Sequence, residues 1–325
     1  MPGHSHSQTD VVIVGAGIVG LAHAVEALKR GLSVLVVERD DRPVGASVRN
    51  FGHGCVTGQL GTNQAWALAA RERWHELSRE AGFWIGTGGA LIAARSADEL
   101  VVAAIAAWVA RQPGADIWWS TSMLGLDGDV VRTSRGESTA SRTVICVGHD
   151  VDRLFPDIAE VAGMQRCALH MLRVANPGGR PIAPAVLTGT SLLRYPAFKA
   201  MPAAAALHER YEREHADLMR AGLNLTFTQL PSGDLTIGDT HAYATTHDPY
   251  GDEAADDLVL REIAKLLGAE QLDVRQRWRG VYASAPSDTL IAAASPTATV
   301  VSVTSGVGMT IAHGLAATVL DDVLA

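Results

Sequence analysis

The stretch Val11-Val-Ile-Val-Gly-Ala-Gly-Ile-Val-Gly20, near the start of the chain, decides the fold class. Its apolar residues predict a buried strand, and its glycines, at G-x-G-x-x-G spacing, predict a tight turn into a helix over residues 21–30. A second apolar run over 32–37 completes a strand–helix–strand unit and ends in Glu38. In such units the helix N-terminus faces a pyrophosphate, and the acid binds a ribose. The pattern predicts a dinucleotide site, with a nucleotide-free glycine turn as the alternative.

The bulk composition limits the classes of function. With 325 residues, of which 47% are hydrophobic, the chain can form one large domain or two. Its net charge of −8 argues against nucleic-acid binding and against an anionic membrane surface. Three scattered cysteines fit neither a disulfide framework nor a zinc cluster, so we expect a reduced, cytoplasmic setting and no metal. Residues 1–10 lack the features of a signal peptide and are expected to form a loose tail.

Both NAD and FAD fit the first motif, and three features favour FAD. The motif opens the chain, Glu38-Arg39 closes the second strand, and Gly306-Val-Gly-Met-Thr310 supplies a second glycine-rich helix start. A flavin needs such a helix, because its reduced ring carries negative charge that a helix N-terminus stabilises. An NAD dehydrogenase stays open as an alternative.

The pattern changes in the middle of the chain. Four short apolar runs predict antiparallel strands, at 164–174, 187–195, 223–230 and 234–237. We therefore predict an α/β fold: a Rossmann-like FAD-binding domain from both chain ends, with an inserted, mostly antiparallel α+β substrate domain. The FAD-binding domain is assigned residues 11–85, 120–163 and 275–325, and the substrate domain is assigned residues 86–119 and 164–274.

Five motifs resemble those of a known superfamily. They are Val12-Ile-Val-Gly-Ala-Gly-Ile-Val-Gly20, Val37-Glu-Arg39, Gly45-Ala-Ser-Val-Arg-Asn-Phe-Gly52, Leu235-Thr-Ile-Gly238 and Gly306-Val-Gly-Met-Thr310. Together they are similar to FAD-dependent amine oxidoreductases of the D-amino acid oxidase and glycine oxidase superfamily. Within it, Ser47-Val-Arg-Asn-Phe-Gly52, Gly58-Gln59 and Leu154-Phe155-Pro156 resemble a subgroup associated with phosphonate catabolism.

The resemblance implies non-covalent FAD and oxidation of an amine C–H. In that reaction the amine delivers hydride to flavin N5, the imine hydrolyses to an aldehyde or keto acid, and oxygen usually reoxidises the flavin. The subgroup implies an aminoalkylphosphonate, or an N-alkyl derivative, as the substrate. The residues expected to bind the cofactor are Gly15, Gly17, Ile18, Gly20, Glu38, Arg39, Ser47, Asn50, Phe51, Gly52, Gly148, Gly306, Gly308, Met309 and Thr310.

One position departs from the superfamily pattern. In glycine-oxidase-type members, the segment matching Trp278-Arg-Gly-Val-Tyr-Ala283 carries an arginine that binds the substrate carboxylate, and here Tyr282 takes that place. The bidentate guanidinium clamp is then lost, so an ordinary α-amino acid is the less expected substrate. A glycine- or sarcosine-type amino acid oxidase is the alternative among enzymes.

The reaction needs a deprotonated amine near the ring and, with oxygen as acceptor, a positive charge beside it. His53 is the candidate for the flavin-facing role, Arg49 for a charge on cofactor or substrate, and Tyr282 completes the catalytic set. The structural alternatives are a loop histidine bonded to backbone and an arginine in a salt bridge. A covalent flavin link to His53 or Cys55 is a less favoured alternative.

A phosphonate dianion needs cationic and hydroxyl donors. The candidate substrate-binding residues are Arg194, Lys199, His241, Arg279 and Tyr282. A small-molecule amine and oxygen are the expected partners, and the chain could also form a homo-oligomer. A flavin-binding subunit without turnover, in a hetero-complex, is the alternative from another class, because the chain is short for this superfamily.

Overall fold

The computed structural model of the protein describes residues 7–86, 91–93 and 100–325. Its helices are α1 (Ile18–Lys29), α2 (Gly61–Ala81), α3 (Leu100–Ala110), α4 (Val151–Leu154), α5 (Pro156–Val161), α6 (Gly189–Leu192), α7 (Pro196–Lys199), α8 (Ala203–Glu214), α9 (Ala216–Arg220), α10 (Glu253–Leu267) and α11 (Gly308–Leu324). Its strands are β1 (Ser7–Val14), β2 (Val34–Val37), β3 (His53–Gly54), β4 (Ile85–Gly86), β5 (Leu91–Ala93), β6 (Ala115–Trp118), β7 (Met123–Asp127), β8 (Val130–Thr133), β9 (Gly136–Ile145), β10 (Gln165–Val174), β11 (Val186–Leu187), β12 (Thr226–Gln229), β13 (Leu235–Gly238), β14 (Ala242–Ala244), β15 (Val274–Ser284), β16 (Thr289–Ser295) and β17 (Ala298–Val303).

The first layer is a sheet of eight strands with a parallel centre. Its order is β16-β17-β9-β1-β2-β6, and the β7–β8 hairpin pairs with β9. Strand β1 runs parallel to both of its neighbours, β2 and β9. The four apolar residues at 11–14 are at most 3% exposed, as expected for a central strand covered on both faces. Helices α1, α2, α3 and α11 share one hydrophobic core beside this sheet.

The second layer is an antiparallel sheet. Its order is β11-β12-β13-β10-β14, and β15 pairs with β10 from Gln165↔Ser284 to Val174↔Val274. Helix α10 covers one face of this sheet with Leu258, Val259 and Ile263. A small third sheet joins β3, β5 and β4. The predicted fold class, an α/β nucleotide-binding layer with a separate antiparallel sheet, is confirmed.

Three segments belong to a different part of the fold from the one assigned by the predicted domain division. Residues 7–10 of the expected tail extend β1, since Ser7 pairs with Ser138 of β9, and residues 1–6 lie outside the described chain. Within 86–119, assigned to the substrate domain, β6 pairs with β2, and α3 is apolar on all sides and is buried in the nucleotide-binding core. Residues 87–90 and 94–99 of that range lie outside the described chain. Strand β15, assigned to the FAD-binding domain, belongs to the antiparallel sheet.

The predicted strand over 187–195 is wrong. Only Val186 and Leu187 pair with β12, and the chain then turns through α6 and α7. The physical reason is local: Pro196 fits the first turn of a helix, where its missing N–H costs nothing. The turn matters for the site, because Arg194 and Tyr195 lie between these two short helices. None of the described helices is long and apolar enough to cross a bilayer.

Candidate active site

A cavity of about 420 Å³ is lined by residues of both sheets. One side consists of the turns after β1, β2 and β9 and the start of α11. The other side consists of β10, β15 and the ends of loops around Arg194 and Asp239. The cavity therefore lies where a nucleotide-binding sheet presents the carboxyl ends of its parallel strands.

The turn between β1 and α1 leaves its backbone open to the cavity. Gly15 has φ of +106°, and a Cβ atom there would lie 2.5 Å from the carbonyl oxygen of Cys146. A Cβ atom on Gly20 would lie 1.9 Å from the carbonyl oxygen of Gly15. The Ile18 N–H, at the start of α1, donates to Ser47 Oγ at 2.9 Å. These contacts form the close backbone cradle that a pyrophosphate requires.

Glu38 stands at the end of β2 with hydrogen-bonding capacity left over. Its Oε2 accepts from the Ala16 N–H at 2.6 Å, and its Oε1 accepts from the Asp40 N–H at 3.1 Å. Burial raises the pKa of this carboxyl group, and the two N–H donors oppose the rise. Because a carboxylate has about four acceptor positions, Glu38 can still accept from a ribose hydroxyl.

Arg39 is held by the protein rather than left free for the cofactor. Its guanidinium pairs with Asp150, which also binds Arg166. Burial favours the neutral form of Asp150, but His149, Arg39 and Arg166 outweigh it and lower the Asp150 pKa. Arg39 and Gly148 both line the cavity.

The N-terminus of α11 points its unpaired N–H groups at the cavity. No side chain caps this helix of 17 residues, and Gly306, Gly308, Met309 and Thr310 line the cavity beside it. Gly306 has φ of +76°, and a Cβ atom there would lie 3.0 Å from Cζ of Tyr282. The Thr310 hydroxyl accepts from the Cys55 N–H at 3.2 Å and fixes the loop after β3. An uncapped helix N-terminus suits a ring that becomes negative on reduction.

The loop before β3 carries the remaining flavin-side candidates. Asn50 donates to the Ala46 carbonyl at 2.8 Å and accepts from the Gly52 N–H at 2.6 Å, which shapes the loop. The ring of Phe51 stacks on His53, with centroids 5.3 Å apart. Of the predicted cofactor residues, all line the cavity except Gly20 and Gly52, which support the turns from behind.

His53 lines the cavity as a neutral group. Its Nε2 bonds to the hydroxyl of Thr228, and burial lowers its pKa to about 4. The imidazole is therefore uncharged at neutral pH, so His53 does not supply a positive charge to the cavity. Arg49 also lines the cavity, and its exposed side chain donates to the Arg279 carbonyl at 3.5 Å.

Arg194 places its guanidinium beside Tyr282, the position at which the superfamily pattern leads us to expect an arginine. Its Nη2 donates to the Tyr282 hydroxyl at 2.8 Å, and its Nη1 donates to the Tyr243 hydroxyl at 3.2 Å. In the part of the chain that the structure describes, no carboxylate forms an ion pair with Arg194. Burial raises the pKa of Tyr282, so the phenol stays neutral. Arg194 therefore places a guanidinium beside Tyr282 from another segment of the chain.

Asp239 and Asn224 add polar groups that the predicted site did not contain. Both side chains are buried, at 4% and 5% exposure, and both line the cavity. Among the residues that the structure describes, none forms a hydrogen bond with Asp239 Oδ1 or with Asn224 Oδ1. A sequence signal existed, because Asp239 directly follows the buried strand β13.

Two predicted substrate residues do not reach the cavity. Lys199 is exposed at the end of α7, and Arg279 binds the backbone carbonyls of Asp248 and Tyr250. His241 does line the cavity. Its Nδ1 bonds to the Gly222 carbonyl at 2.9 Å, and burial and Arg194 lower its pKa to about 3. His241 is therefore a neutral member of the cavity wall.

The fold is shared with solved structures of flavoenzymes. Glycine oxidase from Geobacillus kaustophilus superposes with a TM-score of 0.72 at 18% identity, covering 98% of this chain and 95% of that one. L-proline dehydrogenase from P. horikoshii gives 0.72 at 16% identity, covering 98% and 94%. Iminodiacetate oxidase from Chelativorans sp. BNC1 gives 0.66 at 15% identity, covering 97% and 95%. At such low identities the likeness shows the fold.

The sequence itself carries the family assignment. No curated protein sequence matches the chain significantly. The family model described as FAD dependent oxidoreductase, named DAO, matches residues 10–122 and 88–321. These matches extend over nearly the whole chain and include the glycine turn, the cavity residues and the start of α11. The chain belongs to the DAO family of FAD-dependent oxidoreductases, and its cofactor is FAD.

Proposed function

We propose that the protein oxidises the amine C–H of a small amino acid, a substrate that carries one acidic group beside its amine. Arg194 carries this proposal. It is a partly buried cation in the cavity wall, its partners among the described residues are two tyrosine hydroxyl groups, and it keeps N–H donors for a ligand. A buried cation without a carboxylate partner is costly unless an anion joins it. An acidic substrate group is that anion.

The residues of the first layer fit the cofactor. The glycine cradle before α1 would hold the pyrophosphate, Glu38 the ribose and the α11 N-terminus the ring. When bound, FAD supplies the hydride acceptor. The protein binds the substrate acid through Arg194 and shields the amine between the apolar side chains of Leu169 and Met171 and the polar group Asp239.

The charge of the cavity favours a carboxylate over a phosphonate. Arg194 is the arginine on the side of the cavity that the antiparallel sheet and its loops form. His53 and His241 are neutral at neutral pH. One guanidinium matches a singly charged carboxylate, whereas a phosphonate dianion needs further cations. We therefore place the glycine- or sarcosine-type substrate first, which reverses the order that the sequence suggested.

An aminoalkylphosphonate is the second candidate. The hydroxyl groups of Tyr243 and Tyr282 flank the guanidinium. Together with Arg194 they form a cluster of three polar groups, which suits a group with three oxygens. Arg49, exposed at the cavity wall, could add a second charge.

The test is a matched substrate series with the purified, FAD-loaded protein. Glycine, N-methylglycine, aminomethylphosphonate and dimethylamine differ in the acid and in the amine substituent. Oxygen is the proposed acceptor, so hydrogen peroxide and the carbonyl product are measured together. We expect turnover with an amino carboxylate and weaker turnover with the phosphonate. Preference for the phosphonate would promote the second candidate, and a flavin that no amine reduces would support a subunit without turnover.

A further inference from the structure

Asp239 is a buried carboxylate that the protein leaves incompletely bonded. It directly follows β13, and its backbone is fixed by two hydrogen bonds with Asn224: N–H to carbonyl at 3.0 Å and the reverse at 2.8 Å. The side chain is 4% exposed and lines the cavity, and Oδ1 has no partner. Burying such a group costs free energy unless a ligand completes its hydrogen bonding.

The groups around Asp239 do not neutralise it. Nε2 of His241 lies 3.8 Å from Oδ2, but that ring is neutral because burial and Arg194 lower its pKa to about 3. The thiol of Cys167 and the phenol of Tyr195 face it from β10 and from the segment after α6, and burial raises the pKa of both. Arg194 is the cation that faces Asp239, beyond ion-pair distance. Burial raises the Asp239 pKa to about 7, against the opposing effects of Arg194 and Asn224.

The unpaired acceptors match an ammonium group. Asp239 and Asn224, whose buried Oδ1 atoms no described residue bonds, line the same cavity as Arg194. An ammonium presents three N–H donors and no acceptor. A cation for the acid and two acceptors for the amine together form the complement of a zwitterion.

We propose that Asp239, with Asn224 beside it, binds the substrate ammonium and accepts its proton. This rests on the proposed function. One N–H bond of the ammonium breaks, an O–H bond forms on Asp239, and the nitrogen keeps the electron pair. The lone pair left on the neutral nitrogen would stabilise the adjacent carbon as it becomes electron-poor, and FAD, when bound, would supply the hydride acceptor. The proton leaves Asp239 to solvent after the imine departs.

The first experiment is the pH profile of kcat/KM for the FAD-loaded Asp239→Asn variant. The wild type should rise with pH through about 7 and then level off. The variant, which cannot accept a proton, should lose that limb, fall by about 10²-fold near neutrality, and keep rising toward the pKa of the free substrate amine. Asp256→Asn is the matched control. It removes a buried carboxylate bound to His170 and Arg277, outside the cavity wall, and should keep the wild-type profile.

A second experiment needs no variant. The wild-type profile is measured with two substrates whose amine pKa values differ clearly. A limb that stays near pH 7 for both substrates belongs to the enzyme and supports Asp239. A limb that moves with the substrate, or an Asp239→Asn profile equal to that of the wild type, overturns the inference while the proposed function stands. If the wild type oxidises no amine with an acidic group, the proposed function itself fails.

Discussion

Replacing Arg194 by methionine removes the guanidinium from the cavity and keeps an unbranched side chain. An arginine has five N–H donors. Two of those on Arg194 bind the hydroxyl groups of Tyr243 and Tyr282. No residue in the described part of the chain accepts from the remaining donors, and a carboxylate can bind two of them side by side. The substitution should therefore lower kcat/KM only for substrates that carry an acidic group.

The magnitude follows from those two hydrogen bonds. A hydrogen bond to a charged group contributes about 1.5–3 kcal/mol, so two contribute roughly 3–6 kcal/mol to binding in the transition state. Since each 1.4 kcal/mol is about tenfold, kcat/KM for an amino acid should fall by roughly 10²–10⁴-fold. Dimethylamine has no carboxyl group for the guanidinium to bind, so the rate constant with which it reduces the flavin should change by less than about threefold.

The assay compares N-methylglycine with dimethylamine, which differ by the carboxyl group. Initial rates of peroxide release give kcat/KM, and anaerobic reduction of the bound flavin serves for the slower substrate. Lys199→Met is the control, because Lys199 is exposed and lies outside the cavity wall. Equal losses for both substrates in Arg194→Met, or the same loss in Lys199→Met, would refute the assignment of Arg194.

Three further predictions concern the turn, the buried acid and the histidine. Gly20→Ala places a Cβ atom 1.9 Å from a backbone carbonyl, so the purified variant should lack FAD by its absorbance spectrum, whereas Gly178→Ala, at an open site, should retain it. The Asp239 carboxyl group has a pKa near 7 in the folded protein and near 3.8 in the unfolded chain. The free energy of unfolding therefore falls as the pH rises from about 4 to about 7, and the loss persists above that range. Asp239→Asn should therefore raise the free energy of unfolding in urea more at about pH 8 than at about pH 5, by at least about 1 kcal/mol. Equal increases at the two pH values would contradict this. His53, with a pKa of about 4, is neutral across the working range, so His53→Gln should leave the shape of the pH profile above pH 6 unchanged.

The cofactor side of the cavity was predictable because its signals are local. The apolar strand, the glycine turn and Glu38 lie close together in sequence. Gly15 and Gly20 are required by backbone contacts with the residue after the neighbouring strand and with the turn itself. The second glycine turn, Gly306 to Thr310, is also contiguous and also lies against the cavity. Sequence spacing is sufficient where one short segment builds one surface.

The substrate side was not predictable in the same way, because it is assembled from separate segments. Arg194 lies in the segment 187–195, where the predicted strand was wrong. Its partner Tyr282 lies in β15, far along the chain. The sequence predicted Tyr282 where the superfamily pattern has an arginine, but the contact between Arg194 and Tyr282 depends on how α6 and α7 turn. Asp239 showed no periodic signal, since its meaning depends on burial and on an unpaired oxygen.

A crystal structure with FAD and propionate, a carboxylate without an amine, tests the central assignment most directly. We expect the FAD pyrophosphate against Gly15 to Gly20, the ring beside the α11 N-terminus, and the propionate carboxylate on the guanidinium of Arg194. Propionate bound elsewhere, with Arg194 still bonded only to Tyr243 and Tyr282, would contradict the account.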